Sequence, residues 1–197
     1  IPLTAHDYPA LTPVMWNAAY RTFDLPYSNV MMVADPRNIK EIFDVFKRDK
    51  RYFGGGLAVG LKEKGYFFAD NLDSSTDMVG SSNFIIKTSE ESLVAFNTDG
   101  EGYVKSVEEV FQKQNKPLKK IKAVVLGAGG ASGAIVFSLA KRGVAISILN
   151  RTVNKAEFLA KSINCFLHKK GLVKFGAEED IFSAVKKRLN TVWRTKW

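Results

Sequence analysis

The sequence predicts an α/β protein in which an N-terminal α/β unit is followed by part of a doubly wound parallel sheet. From Lys122 onward, short apolar runs alternate with segments whose apolar residues recur at helical spacing, and this alternation predicts parallel strands joined by helices. The runs contain few polar residues, as expected of strands that helices cover on both faces. A glycine-rich turn joins the first run to its helix. The chain ends after three strand–helix units, about half of a complete sheet of this type.

The N-terminal unit is predicted to begin with two helices separated by a strand. Thr12 followed by Pro13 is a favourable helix start, with Thr12 as the cap and the proline in the first turn. A strand is expected at Ser28–Val33. The segment Pro36–Phe46 is predicted to form the second helix, because its apolar residues share one side: Ile39, Ile42, Phe43 and Phe46.

Strands are predicted to dominate the rest of this unit. One is expected to begin at Tyr52 and to be interrupted at Gly54–Gly56, since glycine weakens a strand. Two β-rich runs, Asn83–Thr88 and Ser92–Asn97, predict further strands. A helix from Gly100 to about Lys113 is expected to close the unit.

The clearest boundary in the chain is the segment QKQNKPLKKIK, residues 112–122, which is polar, rich in lysine and contains Pro117. It predicts a first domain at residues 1–112 and a second at residues 118–197. Strands of the second domain are predicted at Ile121–Leu126, Ala145–Leu149 and Leu172–Phe175. Its helices are predicted at Gly130–Arg142, Val153–Ile163 and Glu178–Leu189.

Composition and charge argue against several classes of protein. Hydrophobic residues make up 46% and charged residues 25% of the chain, and no apolar run approaches the roughly 20 residues of a membrane span. The single cysteine, Cys165, cannot form an internal disulfide, which favours the cytoplasm. Of the net charge of +9, residues 161–197 contribute +6. Because nucleic-acid-binding proteins usually concentrate basic residues on a recognition element, this basic tail indicates a solvated surface, and neither nucleic acid nor a metal is expected as a ligand.

The segment GAGGASGA, residues 127–134, predicts a phosphate-binding turn. It follows an apolar strand and opens a helix, the context in which a glycine motif binds a dinucleotide. Gly127 would permit the tight turn, and Gly129 would let the backbone approach a pyrophosphate. The first helical N–H groups, at Gly130 and Ala131, would face the anion. A strand–turn–helix joint without a ligand is the alternative.

The end of the second strand favours NADP over NAD. NAD-specific sites usually carry Asp or Glu about 20 residues after the glycines, where the carboxylate accepts from the ribose 2′-hydroxyl. Here the strand ends at Asn150, Arg151 and Thr152 follow it, and Lys155 lies one turn into the helix. A guanidinium can bind a 2′-phosphate through two hydrogen bonds and stack on adenine, and Lys155 adds charge. The alternative is an exposed helix start with incidental charge.

Together with other motifs, these segments resemble the shikimate dehydrogenase family. The glycine turn and NRT at Asn150–Thr152 match its cofactor signature, and NTDGEG at Asn97–Gly102 matches its NTDGxG motif. GGGLAVGLKE at Gly54–Glu63 is similar to its catalytic-lysine segment. Looser matches join Thr12–Tyr20 to a Ser-Pro helix and Val79–Ile85 to a Gly-x-x-Asn strand. The similarity runs in order through roughly residues 1–165 and implies a Rossmann fold for the second domain.

The resemblance implies an NADP-dependent oxidoreductase that interconverts shikimate and 3-dehydroshikimate in aromatic amino acid biosynthesis. By resemblance, Lys62 and Asp99 form the acid–base pair: Asp99 orients and hydrogen-bonds, while Lys62 exchanges the hydroxyl proton. Asn83 is expected to hold ring hydroxyls, and Thr12, in place of a family serine, to contact the substrate carboxylate. Taken alone, Lys62 would be interpreted as a solvated loop residue and Asp99 as a turn residue and helix cap.

Several positions depart from the family pattern. Its Asn-Val-Thr before the lysine is Gly-Leu-Ala here (Gly56–Ala58), the next proline is Gly60, and its Asn-Thr pair is Asn83 followed by Phe84. Quinate is therefore an alternative substrate, and a non-catalytic NADP- or ligand-binding module is an alternative function. Nothing after Lys170 resembles the rest of the family's sheet, so the chain is expected to be truncated at its C-terminus. The unpaired edge of a half-sheet would favour pairing with a second copy, a homodimer.

Overall fold

The computed structural model describes residues 3–4, 11–58 and 60–181, and the chain divides into two compact units, residues 1–98 and 99–197. This division differs from the expected boundary in the lysine-rich segment. The helix that follows Thr98 belongs to the second unit, because it buries Gly100 and Val104 within that unit. The lysine-rich segment instead connects two elements of the same unit.

The first unit is a mixed α/β structure with a short parallel strand pair and a four-stranded sheet. Its strands are β1 (Leu3–Thr4), β2 (Met32–Val33), β3 (Gly54–Gly56), β4 (Asn71–Leu72), β5 (Phe84–Lys87) and β6 (Leu93–Phe96). Its helices are α1 (Thr12–Thr22), α2 (Ile39–Arg48), α3 (Lys62–Phe68) and α4 (Ser74–Val79). Strands β1 and β2 pair in parallel, and the larger sheet has the order β3-β5-β6-β4. In that sheet only β4 and β6 run parallel.

Three local predictions for this unit need correction. Helix α1 begins where expected, but Leu11 is its cap residue and no side chain caps it, so Thr12 is the first helical residue. The strand predicted from Ser28 is confined to Met32–Val33. The three glycines after Phe53 do not interrupt a strand: they form β3, because their backbone pairs antiparallel with β5.

The core of the first unit lies between α2 and the four-stranded sheet. Helix α2 buries Ile39, Phe43 and Phe46, which confirms the predicted apolar side. These residues belong to the same buried cluster as Ile85 of β5. The Phe46 ring stacks on Tyr52 with 3.9 Å between ring centroids. Burial raises the pKa of Tyr52 above its ordinary value.

The second unit is a parallel sheet with helices, as the sequence predicts. Its strands are β7 (Lys122–Leu126), β8 (Ala145–Leu149) and β9 (Val173–Gly176), paired in parallel in the order β7-β8-β9. Its helices are α5 (Asp99–Gln112), α6 (Gly130–Lys141) and α7 (Val153–Phe166), with 3₁₀ turns at Leu118–Lys120 and Glu178–Asp180. The predicted helix from Glu178 begins as one of these turns, and its part after residue 181 lies outside the described residues.

Among the described helices of the second unit, α6 has the largest share of buried residues. Seven of its twelve residues are buried, including Ala134, Val136, Phe137 and Ser138. One side of it meets the sheet and another meets α5. The first turn of α6, which carries the glycine motif, is therefore held in place by packing behind it. In the part of the chain that the structure describes, no helix combines the length and apolar character needed to cross a membrane.

Candidate functional site

The glycine turn at the end of β7 has the backbone geometry that its sequence predicts. Gly127 has a φ of +102°, a conformation that side chains rarely permit, and its N–H donates to the carbonyl of Leu149 at 2.8 Å. Gly129 is the cap residue of α6 and has an extended backbone. A Cβ added at Gly129 would meet no atom within 4 Å. The space beside this residue is therefore open to a ligand.

The beginning of α6 can receive an anion. Gly130 and Ala131 are its first two residues, and the first N–H groups of a helix have no acceptor within the helix. The first turn contains no acidic residue, so no carboxylate of the helix itself competes for these N–H groups or for the positive end of the helix dipole. This arrangement suits a phosphate group.

The end of β8 supplies a second group of polar side chains. The N–H of Asn150 donates to the carbonyl of Gly176 at 3.2 Å, and its side-chain amide donates to the carbonyl of Thr152 at 2.8 Å. Thr152 is the cap residue of α7, yet its side chain does not cap the helix. The first turn of α7 contains no acidic residue and includes Lys155. The exposed side chain of Arg151 precedes it.

A cleft of about 420 Å³ connects these features. Six of the predicted cofactor-binding residues line it: Gly127, Gly129, Asn150, Arg151, Thr152 and Lys155. Gly130 and Ala131 begin the adjoining helix. Glu178, in the turn after β9, also lines the cleft and was not among the residues predicted from sequence. No sequence signal distinguished it from the two acidic residues that follow, Glu179 and Asp180.

Helix α5 is fastened to α6 by one arginine and two carboxylates. Arg142 donates from Nη2 to Glu101 at 2.8 Å and from Nε to Glu108 at 2.7 Å. Hydrogen bonding from Arg142 holds the pKa of Glu101 below its ordinary value, although partial burial acts in the opposite direction. Because Asp99 is the first residue of α5, this cluster fixes the helix on which Asp99 lies.

Lys62 is the first residue of α3 in the first unit and is partly buried. The preceding residue, Leu61, is fully buried. The carbonyl of Lys62 accepts from the backbone N–H of Ser82 at 2.9 Å and from the Ser82 hydroxyl at 3.2 Å. Burial of Leu61 and the hydrogen bonds to the Lys62 carbonyl therefore fix the position of the Lys62 backbone.

The side chain of Asn83 is used to position the segment before Asp99. Its Nδ2 donates to the Thr98 hydroxyl at 3.0 Å, and its Oδ1 accepts from the Thr98 N–H at 2.9 Å. The Thr98 hydroxyl also lies 3.3 Å from Oδ1 as a second donor, so the amide and the Thr98 residue are held together by several contacts. The predicted substrate role of Asn83 stays a prediction.

Asn97, the first residue of the NTDGEG segment, has a structural role that the sequence did not reveal. It is 4% exposed, and its Nδ2 donates to the carbonyl of Ser81 at 2.8 Å. Its N–H donates to Asp73 at 3.3 Å. Burial raises the pKa of Asp73, but hydrogen bonds from Thr76 and Ser75 outweigh it, so that this pKa lies below its ordinary value. Asp73 thus caps α4 as an anion and holds the NTDG motif.

The predicted catalytic and substrate-binding residues are not among those that line the cleft of about 420 Å³. Thr12 is exposed at the start of α1. Lys62 belongs to the first unit and Asp99 to the second. A second cleft, of about 570 Å³ and lined by Tyr20, Tyr27 and Phe53 among others, contains none of the predicted site residues. Among the described residues, no group of three His, Cys, Asp or Glu side chains is arranged to hold a metal ion.

The chain is similar to proteins of known activity. The family profile described as shikimate/quinate 5-dehydrogenase matches residues 109–191. The shikimate dehydrogenase (NADP⁺) of Syntrophobacter fumaroxidans is 32% identical over 158 residues, which are 79% of this chain and 51% of that protein. That of Methanocaldococcus jannaschii is 35% identical over 169 residues, 86% of this chain and 56% of that protein. A crystal structure of shikimate dehydrogenase in complex with NADP⁺ matches with a TM-score of 0.79 and 34% identity, covering 89% of this chain and 60% of that one. The chain spans about half the length of the curated relatives it matches.

Proposed function

Because the chain belongs to the shikimate/quinate 5-dehydrogenase family, we propose that it is an NADP-dependent oxidoreductase that interconverts shikimate and 3-dehydroshikimate. The observation that carries the proposal is the cleft in the second unit. Its glycine turn can accept a pyrophosphate, and its β8 end presents Arg151 and Lys155 where an NAD-specific site would present an acid. The relatives quoted above are named for NADP⁺ as well.

In the proposed cofactor site, each residue binds one part of NADP. The N–H groups of Gly129, Gly130 and Ala131 would face the pyrophosphate, since the first turn of a helix offers unused donors. Arg151 and Lys155 would bind the 2′-phosphate. Asn150 and Thr152 would shape the edge of the ribose site, because the Asn150 amide already fixes the Thr152 carbonyl.

In the proposed reaction, Lys62 and Asp99 handle the hydroxyl proton. NADP⁺ held in the proposed cofactor site would supply the acceptor for the hydride of the ring carbon. Lys62 takes the hydroxyl proton at Nζ as the C–O bond becomes C=O, and its ammonium returns that proton to the alkoxide in the reverse direction. Asp99 accepts a hydrogen bond that orients the hydroxyl and balances the ammonium charge. Asn83 would bind a ring hydroxyl, and Thr12 the substrate carboxylate.

Two alternatives follow from the departures around Lys62. The missing Thr and Pro, replaced by Ala58 and Gly60, and Phe84 after Asn83 change the groups expected near the polyol. Quinate is therefore the second candidate substrate, and the matching family profile names both acids. A non-catalytic NADP- or ligand-binding module is the second candidate function, because the same substitutions remove polar groups expected near the substrate.

The decisive experiment is oxidation of shikimate by the purified chain, followed through the absorbance of NADPH. Quinate and NAD⁺ are assayed in parallel, and Lys62→Ala, Asp99→Asn and the control Lys64→Ala, at a partly buried lysine of the same helix, are assayed with the best substrate. Turnover that prefers NADP⁺ and is lost in Lys62→Ala but kept in Lys64→Ala supports the proposal. Binding of NADP⁺ without turnover, weakened in Arg151→Ala, would replace it by the binding-module alternative.

We also propose a homodimer in the cytoplasm, as the sequence predicts. Within the described residues, β7 and β9 each pair with one neighbouring strand, and such edges can pair with another chain. Light scattering coupled to size-exclusion chromatography measures the mass directly. A monomer mass of 21.9 kDa at micromolar concentration would reject the dimer.

A further inference from the structure

The cleft of the second unit contains a carboxylate that the cofactor assignment does not explain. Its lining residues include the cations Arg151 and Lys155 and a single acidic residue, Glu178. A carboxylate beside a phosphate-binding site weakens the binding of an anionic cofactor by repulsion. Glu178 is therefore unfavourable in this cleft unless it accepts a hydrogen bond from the ligand. In the described part of the chain, no ion pair joins Glu178 to either cation.

The position of Glu178 follows from the order of the strands. Strands β7, β8 and β9 are adjacent and parallel, and neighbouring strands lie about 4.8 Å apart, so the ends of β7 and β9 are separated by about 10 Å. The glycine turn follows β7, Arg151 follows β8, and Glu178 follows β9. A dinucleotide with its pyrophosphate at the end of β7 and its ribose at the end of β8 has its base toward the end of β9.

The turn that carries Glu178 is held firmly against the end of β8. The Ala177 N–H donates to Asp180 at 3.1 Å, which closes the turn. The carbonyl of Gly176 accepts from the N–H of Asn150 at 3.2 Å. All three consecutive acids are exposed, but Asp180 accepts the hydrogen bond that closes the turn, and of the other two only Glu178 is among the residues that line the cleft.

The chemistry of the nucleotide selects the group that Glu178 can bind. A carboxylate only accepts hydrogen bonds. On the base side of NADP the donor is the exocyclic amine at C6 of adenine, while the ribose hydroxyl lies nearer the end of β8. We propose that Glu178 accepts a hydrogen bond from this amine, so that it selects a 6-aminopurine dinucleotide and rejects a 6-oxopurine one. This inference rests on the proposed cofactor site but not on the proposed catalysis.

The test compares the binding of NADP⁺ with that of its hypoxanthine analogue, in which the amine is replaced by an oxygen. Calorimetry gives both dissociation constants for the wild type, Glu178→Ala, Glu178→Gln and the matched control Glu179→Gln. We expect the wild type and the control to prefer NADP⁺ about tenfold, since an unsatisfied contact with a charged group costs at least 1.4 kcal/mol. In Glu178→Ala the ratio should fall to within about twofold of unity. Glu178→Gln should bind both dinucleotides, because an amide can either accept from the amine or donate to the oxygen.

The outcomes separate this inference from the proposed function. A preference that persists in Glu178→Ala overturns the inference. Equal tightening of both dinucleotides in Glu178→Ala and Glu178→Gln also overturns it, and shows that Glu178 only repels the phosphates. Binding of NADP⁺ by the wild type without discrimination overturns the inference alone. If the wild type binds neither NADP⁺ nor adenosine 2′,5′-bisphosphate, the proposed cofactor site is overturned as well.

Discussion

Substitution of Gly100 by alanine tests how closely α5 approaches α6. A Cβ added at Gly100 would lie 2.2 Å from the carbonyl oxygen of Ala134, 2.6 Å from its carbonyl carbon and 2.5 Å from the hydroxyl oxygen of Ser138. The nearest obstacle is helix backbone, which cannot rotate aside as a side chain can. Helix α5 would have to move away by about 0.8 Å before the closest contact reached 3.0 Å. Gly102, two residues later on the same helix, has no atom within 4 Å of its added Cβ.

These distances predict changes of opposite sign in the free energy of unfolding for the two alanine variants. Overpacking at Gly100 should cost about 1–3 kcal/mol, and the higher helix propensity of alanine returns at most about 1 kcal/mol. With the full propensity gain, we therefore expect Gly100→Ala to lower the free energy of unfolding by up to about 2 kcal/mol. Gly102→Ala should raise it by about 0.5–1 kcal/mol, because only the propensity term operates there.

Urea unfolding followed by circular dichroism measures both variants against the wild type. If Asp99 acts as proposed, Gly100→Ala should also lower kcat more than Gly102→Ala, since the displaced helix begins with Asp99. Equal stability of the two variants, or a stabilised Gly100→Ala, would refute the close approach of α5 to α6.

Three further outcomes follow from the structure. Arg151→Ala should weaken the binding of NADP⁺ at least tenfold and that of NAD⁺ much less, because charge-assisted hydrogen bonds to the 2′-phosphate are lost. Calorimetry measures both dissociation constants, and an equal loss of affinity for the two cofactors would contradict the prediction. Arg142 lowers the pKa of Glu101 below its ordinary value of 4.5. The ionised Glu101 therefore stabilises the fold above pH 4.5, and this stabilisation is lost as the pH falls further and the carboxylate is protonated. Thermal unfolding from pH 6 to pH 3 should therefore show a smaller acid-induced loss in Arg142→Met than in the wild type, and parallel profiles would contradict the linkage. Asn97→Ala should lower the free energy of unfolding by about 1–3 kcal/mol, since it leaves the Ser81 carbonyl unpaired in the interior; urea titration measures this, and a loss below 0.5 kcal/mol would mean that another donor replaces the amide.

Local sequence signals were sufficient for most of the second unit. The strand at Ala145–Leu149 has the predicted bounds, and the helices predicted from Gly130 and Val153 begin at those residues. Apolar periodicity and a glycine turn report on neighbours a few positions away, so they can be recognised in one chain. For the same reason the apolar side of α2 was predicted correctly. The parallel α/β fold class is confirmed.

The candidate site was predictable as a set of motifs but not as an arrangement. The glycine turn and the residues after β8 were identified from sequence, and the cleft joins them. Glu178 could not be singled out, because its place in the cleft depends on β9 pairing with β8. The roles of Asn83 and Asn97 in holding Thr98 and Ser81 depend likewise on partners about fifteen residues away.

Three features could be identified from adjacent residues alone: the order of strands and helices after Lys122, the glycine turn, and the absence of an acid at the end of β8. Tertiary structure decided where the two units divide. Helix α5 belongs with the second unit because Gly100 lets it approach α6 and Arg142 binds Glu101 across 41 positions of the chain. Such a contact leaves no periodic pattern in the sequence, because it depends on which surfaces the folded chain brings together.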